Sequence, residues 1–137
     1  MGAWSHEPFD NDTAGDWVYQ LEDALGLDFL EQTLDHALDE DEEYLEAPEA
    51  EEALAAVEVL VHLLGKGGGF EKLPEAVGTW VAACTEKPSQ SMVDKALRTL
   101  ARIGSESSEL RELWEESEDF EAWKISLNAR TLALQAL

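Results

Sequence analysis

The segment that most constrains the fold is an apolar run over residues 53–64, preceded by a proline and followed by a glycine. The run is apolar on nearly all sides of a helix and is interrupted only by Glu58 and His62. A helix that is apolar all round belongs inside a protein, and this run is too short for a bilayer, which needs about 20 apolar residues. Proline suits a first helical turn, and glycine suits the position after the last. The sequence therefore predicts a buried central helix over about residues 48–64.

Six further segments carry apolar residues at the three- and four-residue spacing of amphipathic helices. Caps, prolines and glycines set their predicted ends, with Asp28 and Ser117 as two of the N-caps. The segments run from Asn11 or Asp12 to Gly26, from Asp28 to near Asp41, from Leu73 to Cys84, from Pro88 to Gly104, from Ser107 or Ser108 to Trp114, and from Ser117 to Leu134. No segment alternates in the way a strand requires. The prediction is an all-α, single compact domain over residues 1–137, with about six or seven helices and an N-terminal extended arm over residues 1–11.

Acidic residues are concentrated in the first half of the chain. Up to Gly65 there are 19 Asp and Glu residues and no Lys or Arg, whereas from Lys66 onward 12 acids accompany 9 bases, for a net charge of −22 overall. Binding of nucleic acids and anionic membranes depends on cations that neutralise phosphates. The charge therefore excludes nucleic acid and membrane surfaces as partners. It leaves a basic protein, a cation, or no partner.

The densest acidic run is the candidate partner surface. Blocks of like charge are usually solvated faces or interaction surfaces. A shared cation is a third interpretation, because Asp35 and Asp39, or His36 and Glu40, stand four residues apart on a helix. We predict a surface for a basic protein partner, formed by Asp39, Glu40, Asp41, Glu42, Glu43, Glu46, Glu49, Glu51 and Glu52.

A second concentration of oxygen ligands lies near the N-terminus, between Asp10 and Asp16. Its spacing is not that of a calcium-binding EF-hand loop. The same residues are explained by a capped helix preceded by an arm, in which Asn11 or Asp12 is the N-cap. The alternative function is a metal-dependent enzyme that uses the carboxylates of the Asp10–Asp16 or Asp35–Glu40 clusters to hold a metal and activate water.

Residues for other chemistry are sparse. The single cysteine, Cys84, excludes an internal disulfide and favours a reducing compartment. His62 follows Glu58 by four residues, which favours an ion pair or a core hydrogen bond over a catalytic base. We predict no catalytic residue, no metal ligand and no cofactor. The expected protein is a cytoplasmic, non-enzymatic interaction module for a basic partner.

Three stretches of the sequence resemble a known family. They are the opening Met1-Gly2-Ala3-Trp4 with Pro8-Phe9-Asp10-Asn11-Asp12, Ala14, Asp16 and Trp17; residues 44–53; and residues 108–117. Together they are similar to a family of uncharacterised bacterial proteins of about this length, a domain of unknown function. The resemblance implies a bacterial source and a single compact helical domain. It implies no activity.

Overall fold

Seven α-helices follow one another along the residues that the computed structural model describes, which are 7–39, 43–67 and 73–136. None of these helices is both long and apolar enough to cross a bilayer. The helices are α1 (Asp12–Glu22), α2 (Asp28–Ala37), α3 (Ala47–Leu63), α4 (Glu75–Ala83), α5 (Gln90–Ile103), α6 (Glu109–Glu115) and α7 (Phe120–Gln135). Outside the helices, the described residues form one isolated parallel bridge, between Leu45 and Ser108, and no longer strand. The predicted all-α domain is confirmed.

The central helix is α3, as predicted. Every side chain from residue 53 to residue 61 is buried, and the helix packs against each of the other six. Its end is closed by a glycine motif: the Gly65 N–H donates to the carbonyl of His62, and the Lys66 N–H donates to that of Val61, both at 3.0 Å. Gly65 has a φ of 75°, a conformation that only glycine adopts without strain.

Two predicted N-caps are confirmed, and two are wrong. The side chains of Asn11 and Ser108 accept the expected backbone hydrogen bonds at the starts of α1 and α6, and Ser89 caps α5 in the same way. Asp28 is the first residue of α2 and not its cap. Ser117 does not cap α7, because its hydroxyl donates to the carbonyl of Trp114 and accepts from the Asp119 N–H, which holds the turn before the helix.

Two helices end earlier than predicted, and side chains from distant helices donate hydrogen bonds to carbonyls at or just beyond their ends. The second helix ends at Ala37, not near Asp41, since the Arg102 guanidinium donates to the carbonyls of Ala37 at 3.0 Å and Asp39 at 2.9 Å. The first ends at Glu22, short of Gly26. Beyond it, the carbonyl of Ala24 accepts from the Trp80 indole at 3.0 Å. These carbonyls are satisfied by α5 and α4, so the helices need not continue.

The chain before α1 folds back on itself where the structure describes it. The Asp10 N–H donates to the Glu7 carbonyl at 3.1 Å, and the Asn11 amide donates to the Pro8 carbonyl at 3.2 Å. Phe9 is half-buried and packs against the core. The first six residues of the predicted arm lie outside the described residues.

Candidate functional site

The acidic segment before α3 is held against the start of α6 by backbone hydrogen bonds at Leu45. The Leu45 N–H donates to the carbonyl of Ser107 at 2.8 Å, and the Glu109 N–H donates to the Leu45 carbonyl at 2.9 Å. The Leu45 side chain is fully buried, which anchors the same point by apolar packing. Acidic residues on either side of Leu45 therefore occupy a defined place on the domain.

Two side-chain contacts also join the segment before α3 to α6. The Tyr44 hydroxyl donates to the Glu112 carboxylate at 2.7 Å, and this hydrogen bond raises the pKa of Tyr44 to about 12. The Glu109 carboxylate accepts from the Ala47 N–H at 2.7 Å. Because the first N–H groups of a helix have no partner within it, a carboxylate at this position both caps the helix and matches its dipole. The start of α3 is thus capped by a residue of α6.

The predicted partner surface is divided between exposed and half-buried carboxylates. Asp39, Glu43 and Glu46 are exposed, whereas Glu49, Glu51 and Glu52 in the first turns of α3 are partly buried. The three acids between Asp39 and Glu43 lie outside the described residues. Asp39 follows the end of α2, and the residues from Glu43 to Glu52 lie at the start of α3.

Carboxylates from α1 and α6 also lie near the start of α3. Burial is the main cause that raises the pKa of Glu51, and the nearby carboxylates of Asp12 and Glu109 make smaller contributions in the same direction. Burial also raises the pKa of Glu52, partly offset by His36 of α2. We call this region the acidic end of the domain. It comprises Asp12, Glu43, Glu46, Glu49, Glu51, Glu52, Glu109 and Glu112.

The raised pKa values of Glu51 and Glu52 make the thermal stability of the domain depend on pH. At pH 8, Glu51 and Glu52 are ionised in both the folded and the unfolded protein, so the folded state carries the full cost of their burial and crowding. As pH falls through their raised folded-state pKa values that cost fades, and it is gone below the unfolded value of about 4.3. We expect the melting temperature to rise as the pH is lowered from 8 towards the ordinary glutamate pKa of 4.5. The variant E51Q/E52Q should show a flatter profile, while E116Q/E118Q should keep the wild-type slope. Equal slopes in all three proteins would contradict this assignment.

The described residues of the other two acidic clusters do not come together as a metal site. Within residues 7–39, 43–67 and 73–136, no group of three or more His, Cys, Asp or Glu side chains is placed to hold a metal ion. In the Asp10–Asp16 cluster, Asn11 acts as the cap of α1, accepting from the Ala14 N–H at 2.7 Å, and Asp12 and Asp16 are exposed.

In the described part of the Asp35–Glu40 cluster, the Asp35 carboxylate is paired with a base from another helix. Lys95 of α5 pairs with Asp35 at 2.9 Å and with Glu31 at 3.1 Å. These two carboxylates raise the pKa of Lys95 by hydrogen bonding to it. The metal-dependent enzyme stays a hypothesis from the sequence.

A buried ionic cluster lies on the other side of α3. Arg130 of α7 is almost fully buried, and its guanidinium donates to Glu58 at 3.0 Å, to Ser126 at 2.7 Å and to Glu7 at 2.9 Å. His62 lies 3.4 Å from the second oxygen of Glu58, as the four-residue spacing predicts. Burial raises the pKa of Glu58, and Arg130 lowers it part of the way back. The cluster ties α3, α7 and the chain before α1 together.

Sequence reasoning missed three members of the acidic end. Asp12 was assigned to the N-terminal cluster, and Glu109 and Glu112 were not singled out. The contacts that place Glu109 and Glu112 at the acidic end, with Ala47 and Tyr44 respectively, join residues more than sixty positions apart in the sequence. One signal was available, since an acid directly after the N-cap Ser108 is typical of the first turn of a helix.

Comparison with known proteins gives one family. The model of a domain of unknown function (DUF4259) matches residues 2–126. Neither the curated proteins nor the solved structures give a match.

Proposed function

Since this chain belongs to the family described as a domain of unknown function (DUF4259), we propose a function from its geometry: a non-enzymatic interaction module whose acidic end binds a basic protein. The proposal places the protein in the cytoplasm, and its single cysteine suits that reducing compartment. Nucleic acids are excluded as partners in this proposal, because their phosphates would meet carboxylates instead of cations.

The observation that carries the proposal is the crowding of carboxylates from three helices around the start of α3. Burial raises the pKa of Glu51, and Asp12 of α1 and Glu109 of α6 add smaller increases, so these three carboxylates lie close enough to interact in the folded state. Perturbed ionisable groups are concentrated at functional sites, where a ligand offsets their cost. A basic partner would relieve the repulsion among these carboxylates. Strong anchoring by Leu45 and Tyr44 keeps the carboxylates in place before the partner arrives.

Binding of this kind is expected to be sensitive to salt. Exposed charges at an interface act mainly on the rate of association, and their effect falls as the Debye length shrinks from about 10 Å at 0.1 M salt to about 3 Å at 1 M. The exposed acids Glu43 and Glu46 are suited to this role, since no helical packing depends on their side chains.

The test is affinity capture from a lysate of the native host at 50 mM NaCl, followed by mass spectrometry. The wild type is compared with a variant that neutralises exposed acids of the acidic end, D12N/E43Q/E46Q. A matched control, E116Q/E118Q/E121Q, removes the same charge from the exposed turn before α7 and the first turn of that helix. We expect the wild type and the control to retain proteins of high isoelectric point, which the acidic-end variant loses and which 500 mM NaCl releases.

Two results would contradict the proposal. One is retention of the same basic proteins by all three forms, which would show that net charge alone attracts them. The other is selective capture of neutral or acidic proteins by the wild type. In either case the acidic end has no role in recognition.

A further inference from the structure

The outward side of α1 connects the acidic end to a second surface feature. Ala14, Trp17 and Leu21 face the core, which leaves the other side of the helix exposed to solvent. Along that side a single stripe follows the helical spacing of three and four residues. It consists of Asp12, Asp16, Tyr19 and Asp23, all of them exposed. The stripe begins at the acidic end and runs to the C-terminus of the helix.

At the end of this stripe, α1 and α4 enclose an open groove of about 520 Å³. It is lined by Glu22 from α1 and by Glu75, Ala76 and Thr79 from α4. The two helices are held in this arrangement by the hydrogen bond from the Trp80 indole to the carbonyl of Ala24. The groove therefore presents one carboxylate from each helix, together with the methyl group of Ala76 and the Thr79 side chain.

Two large exposed side chains lie within three residues of Glu22, which lines the groove. Leu25 is fully exposed, and Tyr19, one turn before Glu22, is 71% exposed. Large exposed apolar side chains next to a groove are typical of interaction sites, whereas charged residues alone provide mainly steering. Carboxylates that flank apolar surface complement a ligand with the opposite arrangement, an apolar side chain flanked by lysine or arginine.

We propose that the groove between α1 and α4 receives an apolar side chain of a basic, amphipathic segment of the partner protein. This inference rests on the proposed function and adds the surface that binds the apolar part of the partner. The carboxylates along α1 attract and align the segment, Glu22 and Glu75 pair with its basic residues, and Leu25 and Tyr19 cover its apolar residue.

The test uses two synthetic helical peptides of lysine and alanine with equal charge. One carries two leucines four positions apart, and in the other both leucines are replaced by alanine. Each peptide is titrated into the full chain, with binding followed by fluorescence anisotropy of the labelled peptide at 50 mM NaCl. Burial of a leucine side chain predicts that the leucine peptide binds about tenfold more tightly, or better.

The variant L25S should abolish that tenfold preference. Its matched control is I125S, since Ile125 is an exposed apolar residue on α7; it should retain the preference. Equal affinity of the wild type for both peptides, or an unchanged preference in L25S, would overturn the proposal that the groove receives an apolar side chain. Self-association of the free chain that L25S abolishes would also overturn it, in favour of a second copy of the chain as the occupant.

These results separate the groove from the function it rests on. If both peptides bind equally and D12N/E43Q/E46Q weakens both, the groove inference fails and the acidic interaction module stands. If neither peptide binds at low salt, the proposed function fails as well.

Discussion

Replacement of Arg130 by methionine is expected to destabilise the protein by about 3–5 kcal/mol, the usual cost of leaving one partner of a buried ion pair alone. Arg130 is 3% exposed and Glu58 is 2% exposed, so water cannot take the place of the guanidinium around the carboxylate. Since whole domains are stable by only about 5–15 kcal/mol, this is a large share of the total. Urea unfolding followed by circular dichroism gives the free energy.

A double variant isolates the cause of that loss. In E58L/R130M both charges are replaced by apolar side chains of similar volume, a change that is often neutral or stabilising. We expect it to recover most of the stability that R130M loses. If the double variant is no more stable than R130M, the loss comes from packing of the long Arg130 side chain and not from an uncompensated charge.

The second large effect is expected at Trp17, the residue that fixes α1 to the core. Its indole stacks on Phe29 with ring centroids 5.3 Å apart and donates to the Thr33 hydroxyl at 3.1 Å. Trp17→Ala removes this buried volume and should cost about 3–5 kcal/mol. Thermal unfolding followed by circular dichroism measures it.

Tyr19 supplies the matched control on the same helix. It is an aromatic residue two positions away that points to solvent, so Tyr19→Ala should change stability by less than about 0.5 kcal/mol. Similar losses in the two variants would mean that α1 is not oriented as described, and the acidic stripe on its outer side would have no basis.

The helices were predictable to the extent that their signals are local. Pro48, Gly65 and an apolar run with only two interruptions identify the buried central helix. Asn11, Ser89 and Ser108 are caps whose partners lie within three residues. The errors occur where a distant side chain decides the outcome. Arg102 takes the carbonyls that end α2, a contact over more than sixty residues that no local pattern indicates.

The same distinction applies to the candidate site. The acidic run before α3 is visible in the sequence, and the spacing of Glu58 and His62 predicts their contact. The placement of Glu109 at the start of α3, and of Arg130 against Glu58, depends on how α6 and α7 pack, which charge patterns along the chain do not specify. Sequence therefore predicts which charges are present, and packing determines which of them meet.

The most direct test of the interaction module is the affinity of the captured basic protein for three forms of the chain at 50 and 300 mM NaCl. The three forms are the wild type, D12N/E43Q/E46Q and E116Q/E118Q/E121Q. Each exposed charge pair contributes up to about 1 kcal/mol, so loss of three should weaken binding by about tenfold or more at 50 mM NaCl. We expect the difference to shrink at 300 mM, and the control to bind as the wild type does. Equal affinities of the acidic-end variant and the control at both salt concentrations would contradict the account.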